Sequence, residues 1–303
     1  MTITIIGGGI IGLTTAFELT ERGESVHLID AETSDYGTGD DGTALYPAAS
    51  HYAGGMLAPI AEVQFQQDAL FPLMTASADA YPSLMGRLSR ATDLPTGYDT
   101  TGTLIIAADR ADAEHLQRTR AYYRDLNRPA DPVTPTQARA LEPLLAPRIA
   151  GAVSIPSDHQ LHPRLMRRAL KDALTRRGVT FSTERVTDPD AGDIICTGLG
   201  TTLNGDYPLR PVYGDILRLR APRPILKHVV RGYVNSRPVY LIPRPDGELC
   251  IGATSREDHR TLPAIDGVHQ LLRDAIRLVP AVEECELLEA NVGARPGTPD
   301  DLP

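Results

Sequence analysis

The sequence predicts an α/β protein in which a parallel βαβ domain is interleaved with an α+β domain built on an antiparallel sheet. Three observations support this prediction. A glycine-rich turn follows a short apolar strand at the N-terminus. A helical pattern from Leu161 to Gly178 leads into another strand, and the segments from Arg210 to about Leu288 mostly alternate as strands. The chain therefore returns to the first domain before it completes the second.

The totals suit an ordinary globular protein. The chain has 303 residues, of which 42% are hydrophobic, enough for two domains with a core. Its net charge of −9 argues against a nucleic-acid partner. Three separated cysteines, Cys196, Cys250 and Cys285, favour a reducing compartment over a disulfide framework. We recognise no signal peptide and no apolar run of spanning length, and therefore expect a cytoplasmic protein without a membrane partner.

The stretch ITIIGGGIIGLTTAFELTERGESVHLID, Ile3 to Asp30, predicts a dinucleotide-binding, Rossmann-like unit. Gly7 permits the tight turn from strand to helix, Gly9 lets a pyrophosphate approach the backbone, and Gly12 lets the helix pack close to the strand. The helix N-terminus attracts the phosphates. Asp30 can accept hydrogen bonds from a ribose and disfavours a 2′-phosphate. The motif alone leaves FAD and NAD open.

A second stretch of small residues, AASHYAGGMLAP, runs from Ala48 to Pro59. Its backbone can lie flat against a large planar ligand, although a plain loop before a helix has the same composition. His51 lies inside it and is a candidate cofactor contact, with a solvent-facing histidine as the alternative.

GGGIIGL followed by GGMLAP resembles the FAD-dependent D-amino-acid oxidase superfamily, and within it the glycine oxidases of the thiamine pathway. Further blocks follow in order: DHQLHPRLMRRAL, DIICTGLG, RPVYGDILRL, VYLIPRPDGELCIGAT and GARPGTPD. The last two are the most specific, and the resemblance covers essentially the whole chain.

The resemblance implies FAD as the cofactor and assigns residues to it. The implied cofactor contacts are Gly7, Gly9, Ile10, Ile11 and Gly12 for the pyrophosphate, Asp30 and Ala31 for the ribose, Ala49, Ser50, Gly54, Gly55 and Met56 for the flavin, and Val186 for the adenine. Arg295 is the implied partner of the substrate carboxylate, and Tyr240 belongs to the same pocket. The eight histidines form neither HxxxH nor HExxH, so no metal site is expected.

The resemblance also implies a reaction. Hydride would pass from the substrate Cα to the flavin, the imine would hydrolyse to a 2-oxo acid and ammonia, and O₂ would be reduced to H₂O₂. Glycine, sarcosine and small D-amino acids are the implied substrates, with iminoglycine supplied for the thiazole of thiamine. A D-amino-acid dehydrogenase with another electron acceptor and a truncated, non-catalytic flavin-binding protein remain alternatives. The oligomeric state, including a homo-oligomer, is left open.

The predicted FAD-binding domain comprises residues 1–73 and 150–209, and the predicted substrate domain comprises 74–149 and 210–292. Residues 293–303 are predicted to return toward the FAD domain. Family members continue through a further strand and a glycine-rich helix start, so we expect that C-terminal piece of the FAD domain to be missing from these 303 residues. A helix is predicted over 112–127, and Thr136 is the predicted N-cap of a shorter helix at 134–143.

Overall fold

The computed structural model describes residues 1–31, 37–38, 44–45, 47–63, 69–125, 129–200 and 208–299. Within these residues the helices are α1 (Ile10–Glu21), α2 (Ala49–Tyr52), α3 (Phe71–Ala91), α4 (Arg110–Asp125), α5 (Pro135–Leu141), α6 (Pro163–Arg176) and α7 (Ile265–Leu278). None of the helices in this part of the chain has the length and apolarity needed to cross a membrane.

The strands of the same residues fall into two main sheets and two short two-stranded sheets, β3-β4 and β5-β9. They are β1 (Thr2–Ile6), β2 (Ser25–Asp30), β3 (Gly37–Thr38), β4 (Ala44–Leu45), β5 (Met56–Leu57), β6 (Thr103–Ala107), β7 (Asp131–Val133), β8 (Gly151–Ile155), β9 (His159–Gln160), β10 (Thr180–Thr183), β11 (Ile194–Ile195), β12 (Arg210–Arg220), β13 (Val229–Val234), β14 (Arg237–Pro243), β15 (Glu248–Gly252) and β16 (Glu286–Gly297).

The first main sheet is parallel, with strand order β10-β2-β1-β11. Its apolar face packs against α1, which buries Leu13 and Phe17, and against α6, which buries Met166 and Leu170. This βαβ arrangement brings the carboxyl ends of β1 and β2 beside the N-terminus of α1. Ligands of open parallel sheets bind at that edge.

The second main sheet has eight strands in the order β16-β12-β15-β14-β13-β6-β8-β7 and is antiparallel except between β13 and β6. Helix α7 covers one face, where Leu271 and Leu278 pack with Leu217 and Leu241 in a buried cluster. The helix lies so close that a Cβ at Gly232 would come within 3.0 Å of Leu278. The opposite face packs against Tyr52 and Met56. The two sheets confirm the predicted architecture.

Sheet membership differs from the predicted domain boundaries at three elements. Strand β8 belongs to the eight-stranded sheet, although 150 was the predicted return to the FAD domain. Helix α3 instead places Leu84 and Leu88 in the core of the parallel sheet. Strand β16 stays in the large sheet as far as Gly297. Periodicity predicts the type of an element but not the sheet it joins, and we propose domain boundaries that follow the sheets.

The N-cap of α5 is Thr134, so the prediction of Thr136 was wrong. The Thr134 hydroxyl accepts a hydrogen bond from the Gln137 backbone N–H at 3.2 Å, and the Gln137 side chain accepts one from the Thr134 N–H at 2.8 Å. Pro135 occupies the first helical position, which favours the residue before it as the cap. Helix α4 begins two residues before its predicted start, and Leu116, Thr119 and Tyr123 on its predicted inner face are buried.

Candidate active site

The turn between β1 and α1 is closed by glycines. Gly7 has φ = +109°, and a Cβ there would come within 3.0 Å of the Cys196 carbonyl on β11's C-terminal side. A Cβ at Gly12 would come equally close to the Gly7 carbonyl. The Gly7 N–H donates to the Ile29 carbonyl at 2.7 Å, which fixes the turn to β2. The first and third glycines of the motif therefore serve backbone packing, as predicted from their spacing.

The start of α1 is open toward a ligand. No side chain caps the helix at Gly9, and a Cβ there would have Ser50 Oγ as its nearest neighbour, at 3.8 Å. The Ile10 N–H donates to Ser50 Oγ at 3.2 Å, which ties the predicted flavin stretch to the glycine turn. Ile11 is 68% exposed although it is apolar. An uncapped helix N-terminus of this kind attracts an anion.

Asp30 ends β2 directly under the turn. A Cβ at Gly8 would come within 3.0 Å of the Asp30 carboxylate, so the middle glycine, absent from the predicted site, is needed for this approach. Ala31 follows at an exposed position. The structure thus places the predicted pyrophosphate and ribose residues side by side.

A cleft of about 350 Å³ opens beside these residues, between the glycine turn, β10 and α6. Its lining includes Gly8, Asp30, His51, Arg167 and Lys171. Arg167 donates to the Gly8 carbonyl at 3.1 Å, while its buried Nε has no hydrogen-bond partner. Burial, followed by the charges of nearby arginines, lowers the pKa of His51 to about 4, so this ring is neutral near pH 7. An adenosine diphosphate group fits this combination of open amides, carboxylate and cations.

Val186 lies outside this lining. The described residues that border the cleft on the β10 side are Phe181, Ser182 and Thr183. Val186 is half-buried three positions further along. Its contact with the adenine remains a prediction.

The predicted flavin stretch runs from α2 through Gly54 and Gly55 to Met56. Ala49 and Ser50 are half-buried in α2. Gly55 has φ = +86°, and a Cβ there would come within 3.0 Å of the Leu161 carbonyl. Met56 continues as β5 and pairs with β9. The stretch is therefore pressed against the N-terminal approach to α6.

Arg244, which sequence reasoning missed, fixes this stretch from the large sheet. The side chain is buried and donates to the carbonyls of Gly54 and Leu161, the latter at 2.8 Å. Such bonds satisfy backbone acceptors that the glycine conformations leave without helix or sheet partners. Arg244 lies inside the VYLIPRPDGELCIGAT block, but no role was predicted for it.

One face of the large sheet packs against the predicted flavin stretch, and we call it the substrate face. Cross-strand register aligns Asn291, Ile216, Gly252, Tyr240 and Arg231 in one row. Residues directly opposite each other point to the same face. Arg295 lies four positions after Asn291, with the register shift located elsewhere, at Arg218/Leu219, and so shares the face.

Glycines make room around the two predicted substrate residues. A Cβ at Gly214 would stand 2.6 Å from the Arg295 guanidinium, and a Cβ at Gly252 would come within 3.0 Å of the Tyr240 hydroxyl. A Cβ at Gly54 would lie 3.0 Å from the Tyr240 ring. Arg295 and Tyr240 therefore lie along the sheet, and Tyr240 reaches the predicted flavin stretch. Burial raises the pKa of the Tyr240 phenol, so it stays protonated and can donate a hydrogen bond.

A further charged pair, Arg231 and Glu62, lies on the substrate face and was not predicted. Arg231 pairs across the strands with Tyr240. Its guanidinium contacts the Glu62 carboxylate at 3.2 Å. Glu62 lies only three residues beyond the recognised GGMLAP block, but its partner is 169 positions away in the chain, so no local signal linked them.

Comparison with known proteins decides the family. The family model described as "FAD dependent oxidoreductase", DAO, matches residues 2–303. The chain belongs to this family. FAD as the cofactor and the class of FAD-dependent oxidoreductase, both predicted from the resemblance, are thereby confirmed.

Relatives narrow the comparison within the DAO family. Glycine oxidase of Geobacillus kaustophilus (strain HTA426) is 30% identical over 328 residues, which cover 99% of this chain and 82% of that protein. The putative thiamine biosynthesis oxidoreductase ThiO of Rhizobium etli is 29% identical over 310 residues, covering 100% and 86%. The chain spans about half, 47%, of the bifunctional ThiO/ThiG protein of Nostoc sp..

The crystal structure of glycine oxidase from Geobacillus kaustophilus superposes with a TM-score of 0.83 at 29% identity, covering 99% of this chain and 84% of that one. This likeness confirms the predicted fold. The roles of individual residues rest on the geometry described above.

Proposed function

We propose that this DAO-family protein is an FAD-dependent oxidase of glycine, sarcosine or small D-amino acids. The amine is oxidised to the imine, which hydrolyses to the 2-oxo acid and ammonia, and O₂ is reduced to H₂O₂. The imine of glycine would serve the thiazole of thiamine. The names of the relatives from Geobacillus and Rhizobium support the substrate and the pathway.

The observation that carries this proposal is the position of Arg295. Its guanidinium lies against Gly214, is exposed, and shares a face with Tyr240, which in turn touches the edge of the predicted flavin stretch at Gly54. A guanidinium holds a carboxylate with two parallel hydrogen bonds, which also fixes its orientation. A small amino acid held in this way has its Cα directed to one side of the face.

The residues of the chain bind and orient the cofactor and the substrate, and the cofactor supplies the redox chemistry. When bound, FAD would supply the acceptor for the two electrons removed from the substrate. We assign its diphosphate to the N-terminus of α1, its ribose to Asp30 and its ring system to Ser50, Gly54 and Gly55. Tyr240 donates a hydrogen bond to the substrate or closes the pocket, and Arg295 binds the carboxylate.

The test is peroxide formation by purified, FAD-loaded protein with glycine, sarcosine and D-alanine as substrates. Arg295→Ala should raise KM for glycine at least about thirtyfold, because loss of a charged partner costs about 2–5 kcal/mol. The matched control is Arg110→Ala, which removes an arginine that is 93% exposed on α4. An unchanged KM in Arg295→Ala would remove this residue from the role.

Assays with different electron acceptors distinguish the oxidase from a dehydrogenase and from a non-catalytic flavin-binding protein. Reduction of an artificial dye by glycine without peroxide would favour a dehydrogenase. A flavin spectrum that no amine bleaches under anaerobic conditions would favour a non-catalytic flavin-binding protein and would end the proposal.

A further inference from the structure

The pair of Arg231 and Glu62 is not explained by folding. The side chains are 12% and 38% exposed, and their closest atoms are 3.2 Å apart. A partly exposed ion pair contributes little to stability, and taking charges out of water costs free energy. Arg231 moreover keeps a buried Nε without a hydrogen-bond partner. Apolar side chains at these positions would pack at lower cost.

The backbone beneath Glu62 is fixed from within the protein. Ile60, Ala61 and Val63 are buried, and Glu62 is the half-buried residue among them. The Ala61 N–H donates to the carboxylate of the fully buried Asp158 at 3.2 Å. The turn therefore directs one side chain, that of Glu62, toward Arg231 and away from the core.

Charges of opposite sign occupy separate places on the substrate face. Arg295 is on β16, at one edge of the sheet, and Tyr240 is on β14. Arg231 on β13 is the cross-strand neighbour of Tyr240, and it holds the Glu62 carboxylate on the side away from Arg295. Burial raises the pKa of the Glu62 carboxyl, while the charges of Arg231 and Arg295 oppose this rise. The Arg295 guanidinium is therefore near enough for its charge to act on the Glu62 carboxylate.

An amino acid carries a carboxylate and an ammonium group, and this face offers one partner for each. The geometry points to Glu62 as a specificity-determining residue that attracts the amino group of the substrate and repels a second anionic group, with Arg231 keeping it in position. The inference rests on the proposed function, because it assumes that Arg295 binds the substrate carboxylate. It assigns a role to a residue outside the cofactor site and outside the recognised sequence blocks.

The experiment compares two ligands that differ in the amino group. Free glycine and acetate are titrated by calorimetry, without oxygen, into FAD-loaded protein whose flavin has first been reduced with dithionite, so that glycine binds without being oxidised, and the ratio of their dissociation constants is measured. Glu62→Gln should lower the preference for glycine over acetate about tenfold, because the amide neither attracts an ammonium nor repels an anion. Acetate should bind this variant more tightly than it binds the unsubstituted protein.

Two further variants complete the design. Glu24→Gln removes the same charge at an exposed position between α1 and β2 and should leave the ratio unchanged. Glu62→Asp keeps the charge on a shorter side chain and should retain part of the preference, which a purely structural role of Glu62 would not produce. It also serves as the informative variant if Glu62→Gln does not fold.

The outcomes separate this inference from the proposed function. Equal weakening of glycine and acetate in Glu62→Gln, or an unchanged ratio in both Glu62 variants, overturns the role of Glu62 while peroxide formation by the unsubstituted protein still supports the oxidase. An unsubstituted protein that neither binds nor oxidises any amino acid overturns both.

Discussion

The two sheets build the two halves of the site in different ways. At the parallel sheet, one continuous stretch from Ile6 to Asp30 supplies strand end, glycine turn, helix start and carboxylate. At the large sheet, the site comes from strand register and from contacts between distant segments, such as Arg244 with Gly54, 190 positions apart. A site formed by one continuous stretch can be recognised from a sequence motif, whereas a site formed by strand register is recognised only from the three-dimensional structure.

The largest effect is expected at Gly12, in the half of the site built on the parallel sheet. Gly12→Ala should destabilise the protein by several kcal/mol and abolish FAD retention, because the new Cβ would come within 3.0 Å of the Gly7 carbonyl. Thermal unfolding and the flavin absorbance of the purified variant measure the two effects.

Gly86→Ala is the matched control for this change. Gly86 also lies in a helix, α3, but a Cβ there has nothing within 4 Å. Alanine should stabilise the helix by up to about 1 kcal/mol. A Gly12→Ala variant that keeps its flavin and its Tm would show that the close approach of α1 to the turn is dispensable.

On the side of the large sheet, Asp158 sets a dependence of stability on pH. Burial raises the pKa of its carboxyl to about 7, and the Ala61 N–H opposes the rise without cancelling it. Its ordinary pKa is about 4. The folded state therefore holds this proton more tightly than the unfolded state, and the contribution of Asp158 to stability falls as the pH rises from about 4 to about 7.

Asp158→Asn removes this dependence but keeps an oxygen for the Ala61 N–H. Relative to the unsubstituted protein, the variant should gain about 1.4 kcal/mol of unfolding free energy for each pH unit within that window. Urea unfolding at pH 5, 6 and 7 measures the gain, and Asp131→Asn, at an exposed position of β7, is the control. Parallel curves for Asp158→Asn and the unsubstituted protein would contradict the raised pKa.

The sequence predicted the glycine turn and the carboxylate beside it, and the structure brings these residues together, while their contacts with the cofactor stay predictions. Spacing identified Gly7, Gly9 and Gly12, and the strand that follows α1 located Asp30, because each of these residues acts through its own backbone or its nearest element. Gly8 was not predicted, because the need for glycine at this position arises from its contact with Asp30 across the turn.

The substrate half was predicted only where a family block marks it, at Tyr240 and Arg295. Glu62 and Arg231 contact each other across 169 positions, and Arg244, although it lies inside a family block, bonds to Gly54 across 190 positions. Their charges gave no signal in the sequence, where a lone arginine on a strand is as readily an exposed residue. The sheet that β8 joins also differs from the one its predicted domain implies, because its partner β6 is determined by tertiary packing.

Arg167 tests whether the cofactor half also depends on a distant residue. It comes from α6, 159 positions after Gly8, and donates to the Gly8 carbonyl at 3.1 Å. Arg167 lines the cleft to which we assign the FAD diphosphate, and its buried Nε has no hydrogen-bond partner within the chain. A hydrogen bond to a charged group contributes about 1.5–3 kcal/mol, so Arg167→Gln should weaken FAD binding about tenfold or more. Titration of the apoprotein with FAD, followed by flavin fluorescence, measures this, with Arg118→Gln on the exposed side of α4 as the control. Equal dissociation constants for both variants would confine Arg167 to supporting the glycine turn and would leave the cofactor half a local structure.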